Sequence, residues 1–149
     1  MTFFLIIAGH GNETYTKMLK SLVMPLIEQG KALLHSYVRG EKLRDLYWSS
    51  DLYVSVASDE GGPVTVMEAM GCGLPVLSTL VGETTERMEK HSVGKLVSEK
   101  NYNEWAAAIE NLLSNGLPTP LDIQIARKAY HREHIAKHFI RIYEDLIPV

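Results

Sequence analysis

Apolar positions along this chain come in two rhythms. Short apolar runs at residues 3–8, 52–57 and 74–77, with further strand candidates at 32–38 and 94–97, alternate with longer stretches in which apolar residues recur every three or four positions. The runs predict strands and the spaced stretches predict helices. Phe3-Phe4-Leu5-Ile6-Ile7-Ala8 is continuously apolar and stops at Gly9-His10-Gly11, which suits a parallel strand covered on both faces. Asn12-Glu13-Thr14 can cap a helix carrying Met18, Leu19, Leu22, Val23 and Leu26 on one face, with Gly30 ending it. Pro25 falls inside that pattern and predicts a kink or an earlier stop. Residues 42–48 read as a short helix with Leu43, Leu46 and Tyr47 inward, and residues 84–90 as another. Trp105, Ala108, Ile109 and Leu112 mark one face of a helix over 101–114, stopped by Asn115-Gly116. Pro118 and Pro120 mark a loop, and 121–146 is helical, with a break near Tyr130 and a tail at 143–147 docked as core.

Strands alternating with helices across short loops bearing Gly or Pro predict an α/β fold, a Rossmann-like parallel sheet of about five strands with flanking helices. At 149 residues the chain is expected to form a single domain, 1–149, with 46% hydrophobic and 22% charged residues as in soluble globular proteins. A net charge of −3 gives no footprint for a nucleic-acid partner. The lone cysteine, Cys72, cannot form an internal disulfide, and the apolar run at 3–8 is too short for a signal peptide or a membrane span. A cytoplasmic location is therefore expected. No internal repeat or linker is visible.

The chemistry concentrates between Ser58 and Ser78, S-D-E-G-G-P-V-T-V-M-E-A-M-G-C-G-L-P-V-L-S. Glu60 follows the third strand directly, at the carboxyl end where open parallel sheets bind ligands. Gly61 and Gly62 let a ligand approach the backbone, and Pro63 suits a helix start. The free N–H groups from Val64 and Thr65 onward would then face an anion such as a phosphate, with a dipole contribution of about 0.3–1 kcal/mol. Glu68 falls on the same helical face as Val64 and Thr65, and a carboxylate there is a natural acceptor for a vicinal diol such as a ribose. Taken singly, Glu60 reads more readily as a plain loop acid, and Glu68 equally as a solvent-facing helix carboxylate.

Other signals carry less. Gly9-His10-Gly11 lacks a third glycine and reads as a turn rather than a dinucleotide fingerprint. His131, His134 and His138 lie among Arg132 and Lys137, so a solvated basic face outweighs a zinc site. Cys72, between two glycines, reads as a small buried residue rather than a nucleophile.

The pattern S-x-E-G-x-P-x-x-x-x-E-A-M-x-C-G-L-P-V resembles the signature of the retaining GT-B glycosyltransferases of family 4, the glycosyl transferases group 1. The surroundings are similar too. Leu46-Tyr47 through Asp51-Leu52-Tyr53-Val54 resembles the family's helix, aspartate and strand, and Ile6 to Gly11 its strand and G-x-G loop. Gly82-Glu83-Thr84-Thr85-Glu86 is similar to its Gly-Gly-x-x-Glu element, with Glu83 in place of the second glycine, and the closing helices with Tyr143 fit its tail.

The resemblance implies the C-terminal, nucleotide-sugar-binding half of a GT-B fold. It assigns Glu60 to the donor sugar near the reacting carbon, as the catalytic-site carboxylate. Backbone around Gly61, Gly62, Val64 and Thr65 would hold sugar and diphosphate, and Glu68 the ribose hydroxyls. Gly9 and Gly11 would line the cleft, with Val38 and Arg39 beside the base. Gly62 stands where many relatives carry an aromatic residue, which implies a looser sugar pocket. The implied activity is hexosyl transfer from an NDP-sugar of UDP, GDP or ADP type to a glycan or lipid-linked acceptor, with neither cofactor nor metal. Also implied is what the chain lacks: a first strand–helix unit with an Arg/Lys pair, and an N-terminal acceptor domain. That acceptor half could be a separate chain and could associate peripherally with the cytoplasmic face of the membrane. Alone, the chain is expected to be inactive. The rival readings are a non-catalytic nucleotide-sugar-binding or assembly subunit and, on fold analogy alone, an NDP-sugar epimerase-like protein.

Overall fold

Each expected strand starts within two residues of its place, and the one expected at 32–38 ends three residues early, at His35. The computed structural model describes residues 3–82, 84–91, 93–98, 101–115 and 120–147. The strands are β1 (Leu5–Ala8), β2 (Ala32–His35), β3 (Tyr53–Ser55), β4 (Val76–Thr79) and β5 (Gly94–Val97). The helices are α1 (Glu13–Glu28), α2 (Glu41–Trp48), α3 (Val64–Cys72), α4 (Thr84–His91), α5 (Tyr102–Asn115), α6 (Pro120–Tyr130) and α7 (Arg132–Leu146). The α/β class and the five parallel strands therefore hold. Among the described residues they form two parallel ladders, β1–β2 and β3–β4–β5. The chain divides correspondingly into two compact units, Met1–Asp45 and Leu46–Val149.

In the first unit, the Asn12 side chain caps α1 by accepting the Tyr15 amide at 2.8 Å. Pro25 does not stop this helix, which runs on to Glu28. It stands in the last turn, where its missing N–H removes a single intrahelical bond. Val23 is buried and Leu19 and Leu26 half-buried, whereas Met18 and Leu22 face solvent, so the packed stripe is narrower than the pattern suggested. β1 departs from expectation. Phe3 and Phe4 precede it exposed, and no residue of Leu5–Ala8 is buried, although the strand pairs in register with β2 from Leu5–Ala32 to Ala8–His35. Among the described residues of this unit, β1 pairs with β2 and α1 packs on β2, which leaves the faces of β1 largely uncovered.

In the second unit β4 is the centre, flanked by β3 and β5 and buried at all four positions. Leu77 joins Val97 and the α5 face of Trp105, Ala108 and Leu112 in one apolar cluster, with Leu52 and Ile109 against it. The Trp105 indole N–H donates to the Ser98 carbonyl at 3.0 Å, which satisfies the one polar atom that this burial encloses. Val66, Ala69 and Met70 of α3 are fully buried. Gly73, with φ of 86°, closes α3 in the left-handed conformation and turns the chain into β4.

The C-terminal helices break near Tyr130 as expected, but two details differ. Pro120 opens α6 instead of marking a loop, since its fixed φ suits a first helical position. The tail is not docked core: α7 has no buried residue, and Tyr143, Leu146 and Ile147 are exposed. An apolar stripe predicts burial only if some element covers it, and α6, which packs on α7, leaves every residue of α7 unburied. Gly116 and Pro118 lie outside the described residues.

Candidate functional site

β3 is short and gives way at Ser55 to a loop that ends at Pro63. Two contacts from the end of β4 hold this loop. The Thr79 hydroxyl donates to the Ala57 carbonyl at 2.5 Å. Gly82, with φ of 50°, sits so close to the loop that a Cβ there would overlap the carbonyl oxygens of Glu60 and Gly61. Gly61 and Gly62, by contrast, border open space, and a Cβ at either would touch nothing within 4 Å. Glu60, Gly61 and Gly62 are exposed, while Pro63 is buried and anchors the start of α3.

No side chain caps α3. The Pro63 carbonyl accepts the Val66 and Met67 amides at 3.2 and 3.3 Å, so the amides left over at this helix start are those of Val64 and Thr65. Both residues are exposed. The set of open donors is thus narrower than a run from Val64 onward, but it lies where the sequence placed it. One turn later Glu68 is also exposed, and its Oε2 accepts the Tyr47 hydroxyl at 3.2 Å. The same hydroxyl lies 3.3 Å from the Thr65 carbonyl oxygen.

Tyr47 comes from α2 and is 6% exposed; its ring meets that of Tyr53 of β3 edge-on at 5.7 Å. Burial, then the neighbouring Tyr53, then the Glu68 carboxylate push the Tyr47 phenol well above its ordinary range, so it stays a proton donor. Tyr53 is raised as well, by burial first; the neighbouring Thr65 hydroxyl pulls the other way, and the Glu68 and Glu60 charges add to the rise. Among these residues the Tyr47 hydroxyl is what joins Thr65 and Glu68, which lie one turn apart on α3. Between Ser58 and Ser78 the charged residues are Asp59, Glu60 and Glu68, with no Lys, Arg or His. An anion held by the helix amides here must have its charge balanced by groups from elsewhere.

The remaining residues singled out belong to the first unit. Gly9 and Gly11 follow β1, Val38 and Arg39 follow β2, and both pairs thus lie past the carboxyl ends of that parallel ladder. Gly9 N–H donates to the His35 carbonyl at 3.4 Å, and the His10 and Tyr37 rings meet edge-on at 5.1 Å, which ties these two loops together. Gly9, Gly11 and Arg39 are exposed and Val38 is half-buried. Glu83 lies outside the described residues.

Cys72 is half-buried at the end of α3. His131, His134 and His138 are exposed, and among the described residues no three His, Cys, Asp or Glu side chains gather as a metal cage. A concavity of about 340 Å³ on α6 and α7 is lined by Arg127, Lys128, His131, His134 and Lys137 among others, and contains none of the singled-out site residues. Two contacts here go beyond the sequence pattern. Tyr47 and Gly82 both fall in stretches that resemble the family, but the only signal for the Tyr47–Glu68 bond is that a buried tyrosine hydroxyl needs a partner. The fit of Gly82 against the Glu60–Gly61 backbone has no sequence signal beyond the glycine itself.

Comparison with known proteins adds the following. Residues 2–132 match the family described as glycosyl transferases group 1. An uncharacterised glycosyltransferase of Methanocaldococcus jannaschii is 28% identical over 144 residues, which cover 94% of this chain and 36% of that protein. Among solved structures, Anabaena HepE in complex with UDP-glucose superposes with a TM-score of 0.72 at 24% identity, covering 96% of this chain and 40% of that one. The C-terminal domain of a group 1 family glycosyl transferase from Francisella tularensis superposes with a TM-score of 0.53 at 14% identity, covering 93% and 86%. The chain therefore spans well under half the length of the first of these relatives.

Proposed function

Because the chain belongs to the glycosyl transferases group 1 family, we propose that it is the donor-binding part of a retaining glycosyltransferase of GT-B architecture, taking a hexose from a nucleoside-diphosphate sugar. The observation that carries this is the uncapped start of α3, where exposed Val64 and Thr65, in sequence between Glu60 and Glu68, have amides left over by the helix. The amides would receive the diphosphate, Glu68 the ribose diol and Glu60 the hydroxyls of the sugar. In support, the structural neighbour HepE was solved with UDP-glucose, and the fold covers most of a C-terminal domain from this family.

In the transfer, the bond from the anomeric carbon to the diphosphate oxygen breaks and one to an acceptor oxygen forms. The diphosphate departs with the electron pair of the broken bond, and the oxygen so released takes the acceptor's proton. Helix amides stabilise the charge that develops on the leaving group, and basic groups outside the stretch 58–78 complete that task in place of a metal ion. In this reading an acceptor-binding domain and a further strand–helix unit with an Arg/Lys pair come from sequence outside this chain, and a glycan or lipid-linked hydroxyl is the acceptor. Alone, the chain binds donor and transfers little or nothing.

The three carboxylates and absent cations between Ser58 and Ser78 also favour a second reading, a binding subunit that never catalyses. Product analysis with an acceptor-domain chain added separates the two: transferred sugar supports the transferase, and unaltered donor the binding subunit. The donor site itself is tested by calorimetry of the chain against UDP, GDP and ADP, each with and without its sugar. Weak binding of one of them is expected, with Glu68→Ala weakening it about tenfold, as for a lost hydrogen bond to a charged group. No heat with any of them from a folded sample removes the donor site.

A further inference from the structure

The Glu68 carboxylate is at the surface, where a glutamate side chain is free to sample many rotamers. Here it is not free. A hydroxyl reaches it from a ring that is itself fixed, buried in α2 and packed edge-on against Tyr53. We propose that Tyr47 is a positioning residue of the donor site, its hydroxyl holding the Glu68 carboxylate in the orientation that accepts both hydroxyls of a ribose. This rests on the donor-site reading above and deepens it.

The hydroxyl has one proton and two acceptors in range, Glu68 Oε2 at 3.2 Å and the Thr65 carbonyl at 3.3 Å. The charged acceptor makes the stronger bond, and the Thr65 carbonyl keeps its place in the α3 ladder. A carboxylate has about four lone-pair sites, so one bond at Oε2 leaves Oε1 and a site on Oε2 for two ligand hydroxyls. Two vicinal hydroxyls need both oxygens at one fixed angle, which a carboxylate with an anchored Oε2 presents without further ordering. Thr65 ties the arrangement to the phosphate end of the site. Its amide is one of the two left over at the helix start, and its carbonyl lies 3.3 Å from the Tyr47 hydroxyl. Tyr47 thus backs the helical face that would meet both ribose and diphosphate.

A merely structural tyrosine would also be satisfied by Glu68, so the test must read ribose recognition itself. Calorimetry would compare UDP, GDP and ADP, each beside the analogue lacking both ribose hydroxyls, on the unaltered chain and on Tyr47→Phe. The variant keeps the ring and removes only the hydroxyl. Expected is a loss of about fivefold in affinity for the ribonucleotide, with no change for the analogue. Tyr53→Phe, which leaves the Tyr47–Glu68 bond in place, should retain the ribose preference. A measurement on the unaltered chain does not depend on either variant folding: the Cζ carbon signal of Tyr47 should move when the ribonucleotide binds and stay when the analogue binds. Equal weakening of both ligands in Tyr47→Phe, or an unmoved Cζ signal, overturns the positioning role while leaving the donor site standing. Failure of the unaltered chain to bind any of the nucleotides overturns the donor site and the positioning role with it.

Discussion

The glycines around the candidate site have unequal jobs. Gly82 is held at φ of 50° against the carbonyls of Glu60 and Gly61, whereas Gly62 borders open space. Gly82→Ala is therefore expected to destabilise the fold by at least about 2 kcal/mol, from strain and from displacing the loop. Gly62→Ala should stay within about 0.5 kcal/mol. Urea denaturation of both variants checks this, and equal effects would contradict the wedge at Gly82. The same residues show how far a sequence can be read. The pair Glu60 and Glu68 was legible because its spacing and flanking glycines form a contiguous pattern. The Tyr47–Glu68 bond was not, since it joins residues 21 positions apart on different elements.

At the scale of elements, what was legible follows from local chemistry. Asn12 caps α1, Gly73 closes α3, and the α5 face of Trp105, Ala108 and Leu112 packs as its spacing requires. Periodicity says which face of a helix is apolar but not whether anything covers it, and α7 is the case in point. Phe139, Ile142 and Leu146 lie on one face and are all exposed. Phe139→Ala is expected to change stability by less than about 0.5 kcal/mol, while Leu77→Ala in fully buried β4 should cost about 2–5 kcal/mol. Thermal melts of the two variants distinguish them, and a comparable loss for Phe139→Ala would mean that α7 is packed in solution. Among the described residues, no helix is long and apolar enough to cross a membrane.

At the scale of the whole molecule, five parallel strands were legible from five strand candidates, but their division into two ladders was not. Which strands pair is decided by long-range contacts that leave no local trace. The β1–β2 unit has few buried residues, whereas β4 is buried throughout. Amide hydrogen exchange should accordingly be at least about tenfold faster in β1 than in β4. Equal protection would show that β1 is covered in solution.

The central claim is that the start of α3 receives a nucleoside diphosphate. It is tested most directly by following backbone amide signals as UDP, GDP or ADP is added. Shifts are expected at Val64 and Thr65, with Gly61 and Gly62 moving alongside. Shifts confined to Arg127, Lys128 and Lys137 on α6 and α7, or none at all from a folded sample, would contradict the donor site at α3.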